Sequence, residues 1–333
     1  MGARPDPESL RRSPHFDGRI FHNSTPSTVM PPDAARKIFR EMVFGKEKRR
    51  PGSPVPIMVP SFPSHDTLRA VWFGHASTLV EIEGRRVLID PVWSLRCSPS
   101  QTVGPKRLHP MPLALGKLPT LDAIVVSHDH YDHLDMATVV ALSRSQSAPF
   151  LVPLGVGAHL RRWRVPADRI VEFDWNEETT VAGLRFVATE ARHFSGRGFT
   201  RNETLWGSWV ISGESQRVFY TGDTGYFPGF AEIGRQHGPF DLTLIQIGAY
   251  SPYWPDIHMT PEQAVRTHLD VGGGLLIPVH WATFNLALHA WSEPVDRIWH
   301  HAKEQEASVA IPRPGERVDV AAPPEVDGWW QAL

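Results

Sequence analysis

The run Ala123-Ile124-Val125-Val126 is short and wholly apolar, and it reads as a buried strand. It leads straight into Ser127-His128-Asp129-His130-Tyr131-Asp132-His133-Leu134-Asp135, after which Met136 to Leu142 takes up helical spacing. A strand that hands three histidines and several carboxylates to the loop before a helix belongs to an α/β arrangement, and such folds place their sites at the carboxyl ends of strands. His128 and His130 are two apart, so they point to one side of an extended segment. Asp132 and His133 follow the turn and can face the same volume from another direction. Imidazole with carboxylate suits zinc and similar divalent ions. The alternative is a polar surface loop, but His-x-His-x-Asp-His arises by chance only about 0.002 times in a chain of this composition, and the strand–loop–helix context fits a metal site.

A chain of 333 residues, 41% hydrophobic and 21% charged, is long enough for one large domain or two small ones of ordinary globular composition. Its net charge of -2 provides no basic field, which argues against nucleic acid as a partner. The single cysteine, Cys97, rules out an intrachain disulfide and a thiolate-based main metal site. No apolar run reaches 18 residues, and Met1 to Arg12 has no apolar core of a signal peptide. Asp6 breaks the myristoylation pattern after Gly2. A cytoplasmic protein is expected, with peripheral membrane contact left open.

Residues 1–66 read as an N-terminal extension and Pro-rich linker packing on the core. A helix is expected over Pro32 to Phe44, with Asp33 near its start and Ala35, Ile38, Phe39, Met42 and Val43 on one face. Ile57-Met58-Val59 and Phe62 are expected to pack on the same domain, the alternative being lipid or a second subunit. Residues 67–333 hold the compact part. Strands are expected over Ala70 to Phe73, Thr78 to Ile82 and Arg86 to Ile89, with His75 between the first two as a possible lining residue. Asp90 is either a turn residue before Pro91 or the carboxylate that orients a metal-binding histidine. Further strands end just before His193, Asp223 and His280, and a helix begins at Pro261 behind the N-cap Thr260. Strands first, then βα alternation, then the same again, make an α/β four-layer αββα sandwich with two similar halves.

Each of these strand-end residues alone is weak. A lone histidine after a strand is ordinarily a surface or satisfied core residue, and the aspartate of Gly222-Asp223-Thr224-Gly225 is ordinarily a turn residue. Their order together resembles the metallo-β-lactamase superfamily, over about residues 68–305. Trp72-Phe73-Gly74-His75-Ala76, Asp90-Pro91, Leu205-Trp206-Gly207-Ser208-Trp209, Gly222-Asp223-Thr224-Gly225-Tyr226, Ile247-Gly248-Ala249-Tyr250 and Val279-His280-Trp281 resemble its N-acyl-phosphatidylethanolamine-hydrolysing phospholipase D branch. The resemblance implies a dinuclear zinc site. His128, His130 and His193 would hold one Zn2+, and Asp132, His133 and His280 the other, with Asp223 bridging. Two metals about 3.5–4 Å apart can clamp the attacking and leaving oxygens of a phosphodiester. Asp132, Asp223 and His258 are the expected catalytic residues, with His258 binding the phosphate or protonating the leaving group. Gln246 to Tyr250 and Trp281 are the expected pocket walls.

The leading expectation is a zinc-dependent phosphodiesterase that cleaves N-acyl phosphatidylethanolamine, a related phospholipid or a small phosphodiester by metal-bound hydroxide. A second reading keeps the metals and changes the substrate to a lactone or other small ester or amide. A third is a metal-stabilised binding protein without activity, against which a structural zinc would normally be closed by four protein ligands. The resemblance also implies a homodimer.

Overall fold

The computed structural model describes residues 2–29, 31, 34–63, 66–198 and 200–333, of Val43 the backbone alone. The expected helix start at Pro32 and Asp33 and the Val43 side chain therefore lie outside the described residues. The extension carries α1 (Pro7–Leu10) and α2 (Ala34–Phe44). The strands are β1 (Arg69–Gly74), β2 (Ser77–Ile82), β3 (Arg85–Ile89), β4 (Ala123–Val125), β5 (Phe150–Pro153), β6 (Ile170–Phe173), β7 (Glu178–Val181), β8 (Leu184–Thr189), β9 (Ser208–Ser212), β10 (Arg217–Tyr220), β11 (Phe240–Gln246), β12 (Gly273–Val279), β13 (Ser308–Val309) and β14 (Arg317–Asp319). The helices among them are α3 (Met136–Ser145), α4 (Val156–Arg162), α5 (Gly229–His237), α6 (Pro261–Asp270) and α7 (Glu293–Glu304).

The strands form two seven-stranded sheets, ordered β14-β1-β2-β3-β4-β5-β6 and β13-β12-β11-β10-β9-β8-β7. Along β14-β1-β2-β3 the pairs are antiparallel and from β3 to β6 parallel. The second sheet repeats the scheme, antiparallel from β7 to β10 and parallel from β10 to β13. Two similar halves are thus real at the level of topology. β1 shows how the layers are built. Ala70 and Trp72 join the core that includes the second sheet, while Val71 and Phe73 join the one beneath α3 and α4. Period-two alternation thereby buries both faces of one strand. Helices α5, α6 and α7 cover the other sheet, and α6 starts in the capping box of Thr260 and Gln263.

The extension lies against this body at Leu10, Phe21, Ala34 and Val55, which are buried. Met58 and Val59 depart from expectation. The Met58 N–H donates to the Pro314 carbonyl at 2.8 Å, which pins the backbone there, yet both side chains stand exposed. Phe62 does pack on the core beneath α3.

Trp209 of β9 ties the sheets together just below the histidine loop. Its indole N–H donates to the Val126 carbonyl at 3.1 Å, and its ring meets Phe173 edge-on at 5.1 Å. Trp209→Phe removes ring volume and leaves that buried carbonyl without its donor. We expect denaturant titration to show a loss of about 2–4 kcal/mol of unfolding free energy. A variant as stable as the parent would refute the role given to this contact.

Candidate metal centre

Strand ends and turns of both sheets deliver the site. β4 runs into Ser127 to His133, β8 leads to His193, β10 to Asp223 and β12 to His280. The β1–β2 turn supplies His75, and the segment after β11 supplies His258. His75 and His280 both have left-handed backbones, with φ of 53° and 65°. Such non-glycine conformations cost on the order of 1–3 kcal/mol each and persist where the surroundings impose them. Here the His280 N–H donates to the His75 carbonyl at 2.8 Å, the Trp72 indole donates to the same oxygen at 2.6 Å, and the His75 N–H donates to Thr283 Oγ1 at 2.6 Å. The two sheets are thereby stitched together at the site.

Two groups of metal-type atoms result, joined by one oxygen. In the first, His130 Nδ1 lies 2.8 Å from His128 Nε2 and 3.4 Å from His193 Nε2. Asp223 Oδ2 stands 3.9 and 3.8 Å from those two Nε2 atoms. In the second, Asp132 Oδ2 lies 2.8 Å from His75 Nε2, 3.3 Å from His280 Nε2 and 3.5 Å from His133 Nε2. The same Asp223 Oδ2 is 3.2 Å from His133 Nε2 and 3.1 Å from His280 Nε2. Ligands about 2.0–2.1 Å from a tetrahedral ion stand about 3.3 Å from one another, so this spacing fits divalent ions. His133 Nε2 and Asp223 Oδ1 are buried without a hydrogen-bond partner, as are Nδ1 of His75, His258 and His280. Of these, His133 Nε2, Asp223 Oδ1 and His258 Nδ1 belong to groups that face the site, and buried polar atoms left open there are what an ion or substrate would satisfy.

A supporting layer fixes the rings. Asp90, fully buried, accepts from His133 Nδ1 at 2.6 Å, from Ser127 Oγ at 2.5 Å, from the Ser127 N–H at 2.7 Å and from the Tyr220 hydroxyl. It is therefore the orienting carboxylate and not only a turn residue, and it turns His133 Nε2 inward. His193 Nδ1 donates to the Ile257 carbonyl at 2.8 Å, which leaves Nε2 for the site. Asp129, inside the histidine motif, faces away: it pairs with His159 Nε2 at 3.0 Å and accepts from the Gly196 N–H at 2.7 Å.

The protonation states follow from burial and from the two carboxylates. Burial lowers His128 and His193 well below the ordinary imidazole range and takes His75 to about 3 and His258 to about 4. Burial also opposes charge on His280 and His133. The Asp223 and Asp132 carboxylates overcome it, raising His280 to about 9 and His133 well above its usual range. In return His133 and His280 hold Asp132 and Asp223 well below the carboxylate range against their own burial. Most imidazoles are thus neutral and both aspartates ionised at neutral pH, the forms that ligate metals.

The structure brings His128, His130, Asp132, His133, His193, Asp223, His258 and His280 into this one volume. His258 sits with its Nδ1 4.0 Å from Asp223 Oδ2, between the His193 and His280 rings. Ala249, Trp281 and Phe284 line a cleft beside His280. Gln246 is not a wall. It is fully buried, donates to the Gly248 carbonyl at 2.5 Å and accepts from the Met259 N–H at 3.2 Å, so it shapes the loop that carries His258. Tyr220 was not marked by any sequence signal, since it is the apolar-patterned last residue of β10 and its partner Asp90 is 130 positions away.

Asp90→Asn keeps the size of the side chain but puts an amide where a carboxylate faces four donors. We expect it to weaken divalent-metal binding about 10–100-fold, read by competition with a chelator. Unchanged affinity would contradict the orienting role.

Comparisons agree with this geometry. The beta-lactamase superfamily domain profile matches residues 85–281. An uncharacterized protein of Mycobacterium tuberculosis is 54% identical over 99% of this chain and 91% of its own length. N-acyl-phosphatidylethanolamine-hydrolyzing phospholipase D 1 of Caenorhabditis elegans is 37% identical over 73% of this chain and 72% of its own. Among solved structures, the metallo hydrolase Igni18 of the archaeon Ignicoccus hospitalis superposes with a TM-score of 0.57 at 22% identity, covering 76% of this chain and 97% of that one. Fold, site and relatives converge: the chain belongs to the metallo-β-lactamase superfamily, in a branch like the N-acyl-phosphatidylethanolamine-hydrolysing phospholipases D, and is a metal-dependent hydrolase.

Proposed function

We propose that the protein is a dinuclear zinc phosphodiesterase of phospholipase D type, acting on N-acyl phosphatidylethanolamine or a related phospholipid. The observation that carries this reading is the single oxygen, Asp223 Oδ2, placed between two groups of ligand atoms. His128, His130 and His193 would hold one ion and Asp132, His133 and His280 the other, with Asp223 shared. Two divalent ions there would supply Lewis acidity and bring the pKa of water toward about 7, which suits attack on a phosphodiester without a Ser or Cys nucleophile.

The chain's own residues do the remaining work. His75 keeps the Asp132 carboxylate in place, and Asp90 keeps the His133 ring in place. His258, neutral at pH 7, is free to donate or accept one hydrogen bond at a phosphate oxygen or the departing alcohol. Hydrolysis would place the hydroxyl of water on phosphorus and its proton on the leaving oxygen, releasing N-acylethanolamine and phosphatidic acid.

The lipid part of the reading rests on the Caenorhabditis elegans relative, which is named for that substrate, and on α2. Phe39, Met42 and Phe44 of this helix are exposed, as are Met58 and Val59. Residues 34–50 carry seven basic and two acidic side chains, against a whole-chain charge of -2. An amphipathic basic helix with an open apolar side suits the surface of an anionic bilayer. It adjoins the segment that carries His258, since the Tyr253 hydroxyl donates to Glu41 at 3.3 Å. Among the described residues no helix is long and apolar enough to cross a membrane.

The test is hydrolysis by zinc-loaded protein of N-acyl phosphatidylethanolamine in vesicles beside a soluble aryl phosphodiester. We expect N-acylethanolamine release, and a loss of at least about 100-fold in Asp223→Ala, because several kcal/mol of transition-state stabilisation depends on the metals. Cleavage of the soluble ester alone would discard the lipid. Inactivity on both, with two zinc ions bound, would favour a lactone or amide.

A further inference from the structure

His193 differs from the other histidines of the centre in how its backbone is held. It follows β8, which ends at Thr189, and β9 does not begin until Ser208, so no strand ladder serves its peptide groups. The residue is nevertheless fully buried. Buried peptide groups need partners from somewhere, and among the described residues both come from one side chain far away in sequence. Asn23 Oδ1 accepts from the His193 N–H at 3.0 Å, and Asn23 Nδ2 donates to the His193 carbonyl at 2.8 Å. The amide imitates a neighbouring strand across 170 positions. Its own orientation is set by the Trp206 indole, which donates to the same Oδ1 at 3.2 Å and to the Ala191 carbonyl at 2.9 Å.

The residues around Asn23 extend the grip. Phe21 is buried, and its N–H donates to the Asn202 carbonyl at 2.8 Å, on the loop that follows His193. Beyond Asn23, the Arg192 guanidinium donates to Ser27 Oγ at 3.0 Å and to the Pro26 carbonyl at 2.5 Å, and it pairs with Asp256 at 3.0 Å. Asp256 in turn accepts from the Thr28 N–H at 2.9 Å. The chain from Phe21 to Thr28 thus splices the loop of His193 to the loop of Ile257 and His258. The Ile257 carbonyl completes the arrangement by fixing the ring of His193 through Nδ1 at 2.8 Å.

We propose that Asn23 is a positioning residue of the metal centre: by holding both peptide groups of His193, it sets the place from which the His193 ring meets the ion. The inference rests on the reading of His193 as a ligand. It makes the N-terminal segment part of the centre and not a covering laid over it. Removing the amide leaves two buried peptide groups open and frees the loop to shift, while the Ile257 bond alone lets ring and loop move together. One of the two ions should then be held less tightly, and the ion among Asp132, His133 and His280 should be untouched.

The experiment measures the two successive affinities for Zn2+ by chelator competition, and the visible spectrum of the Co2+-loaded protein, in the full chain. The variants are Asn23→Ala, Asn23→Asp and His193→Ala, with Arg12→Ala as a control that loosens the extension at its exposed pairing with Glu177. Asn23→Asp preserves an acceptor for the His193 N–H but opposes a carboxylate to the His193 carbonyl, so it carries the test if Asn23→Ala does not fold. Expected are a loss of about 10–100-fold in one affinity for either Asn23 variant, in the same binding step that His193→Ala abolishes, and two intact steps in Arg12→Ala. Wild-type affinities in the folded Asn23 variants, with His193→Ala impaired, would overturn the proposal and leave the ligand reading standing. Two intact steps in His193→Ala would overturn both. An equal loss in Arg12→Ala would overturn the specific role of Asn23.

Discussion

One carboxylate oxygen, Asp223 Oδ2, lies within 4.0 Å of nitrogen atoms on five imidazoles: His128, His133, His193, His258 and His280. The residue is almost fully buried, so its charge has no water to rely on. The consequences spread through the site. The carboxylate lifts His133 and His280, and those rings in return keep it ionised. A divalent ion competes for the same lone pairs with two charges in place of a proton's one. The arrangement is therefore one that metal binding relieves, and proton release should accompany loading.

The fold exists in the form needed to bring these groups together. Both sheets change from antiparallel to parallel pairing in their middle, and the parallel strands β4, β11 and β12 all end at the same edge. The candidate ligands come from both sheets, so neither half holds the site alone. The left-handed turns at His75 and His280 meet in a backbone hydrogen bond, and Trp209 bridges the layers a few residues below. Local strain at two turns is offset by cross-sheet contacts that only the closed sandwich can make.

How much of this was legible in the sequence divides along physical lines. His128, His130, Asp132, His133, His193, Asp223 and His280 could be singled out because each follows an apolar strand, and local pattern marks strand ends well. Thr260 announced α6 for the same reason, since capping is a local matter. Asp90 remained ambiguous because a turn carboxylate and an orienting carboxylate look alike until the partner is seen. Gln246 looked like a wall and is a buried brace, a distinction that depends on where loop 247–260 folds back. Tyr220 and Asn23 carried no signal, because their roles arise from contacts more than a hundred residues away in the chain. The edge strands β13 and β14, of two and three residues, are too short for any periodicity to show.

The metal centre is proposed to hold two ions with Asp223 between them. A crystal structure of the zinc-loaded protein, with anomalous data collected across the zinc edge, would test it most directly. The expected result is two anomalous peaks, one among His128, His130 and His193 and one among Asp132, His133 and His280, with Asp223 touching both. A single peak at full zinc loading, or two peaks with Asp223 bound to neither, would contradict it.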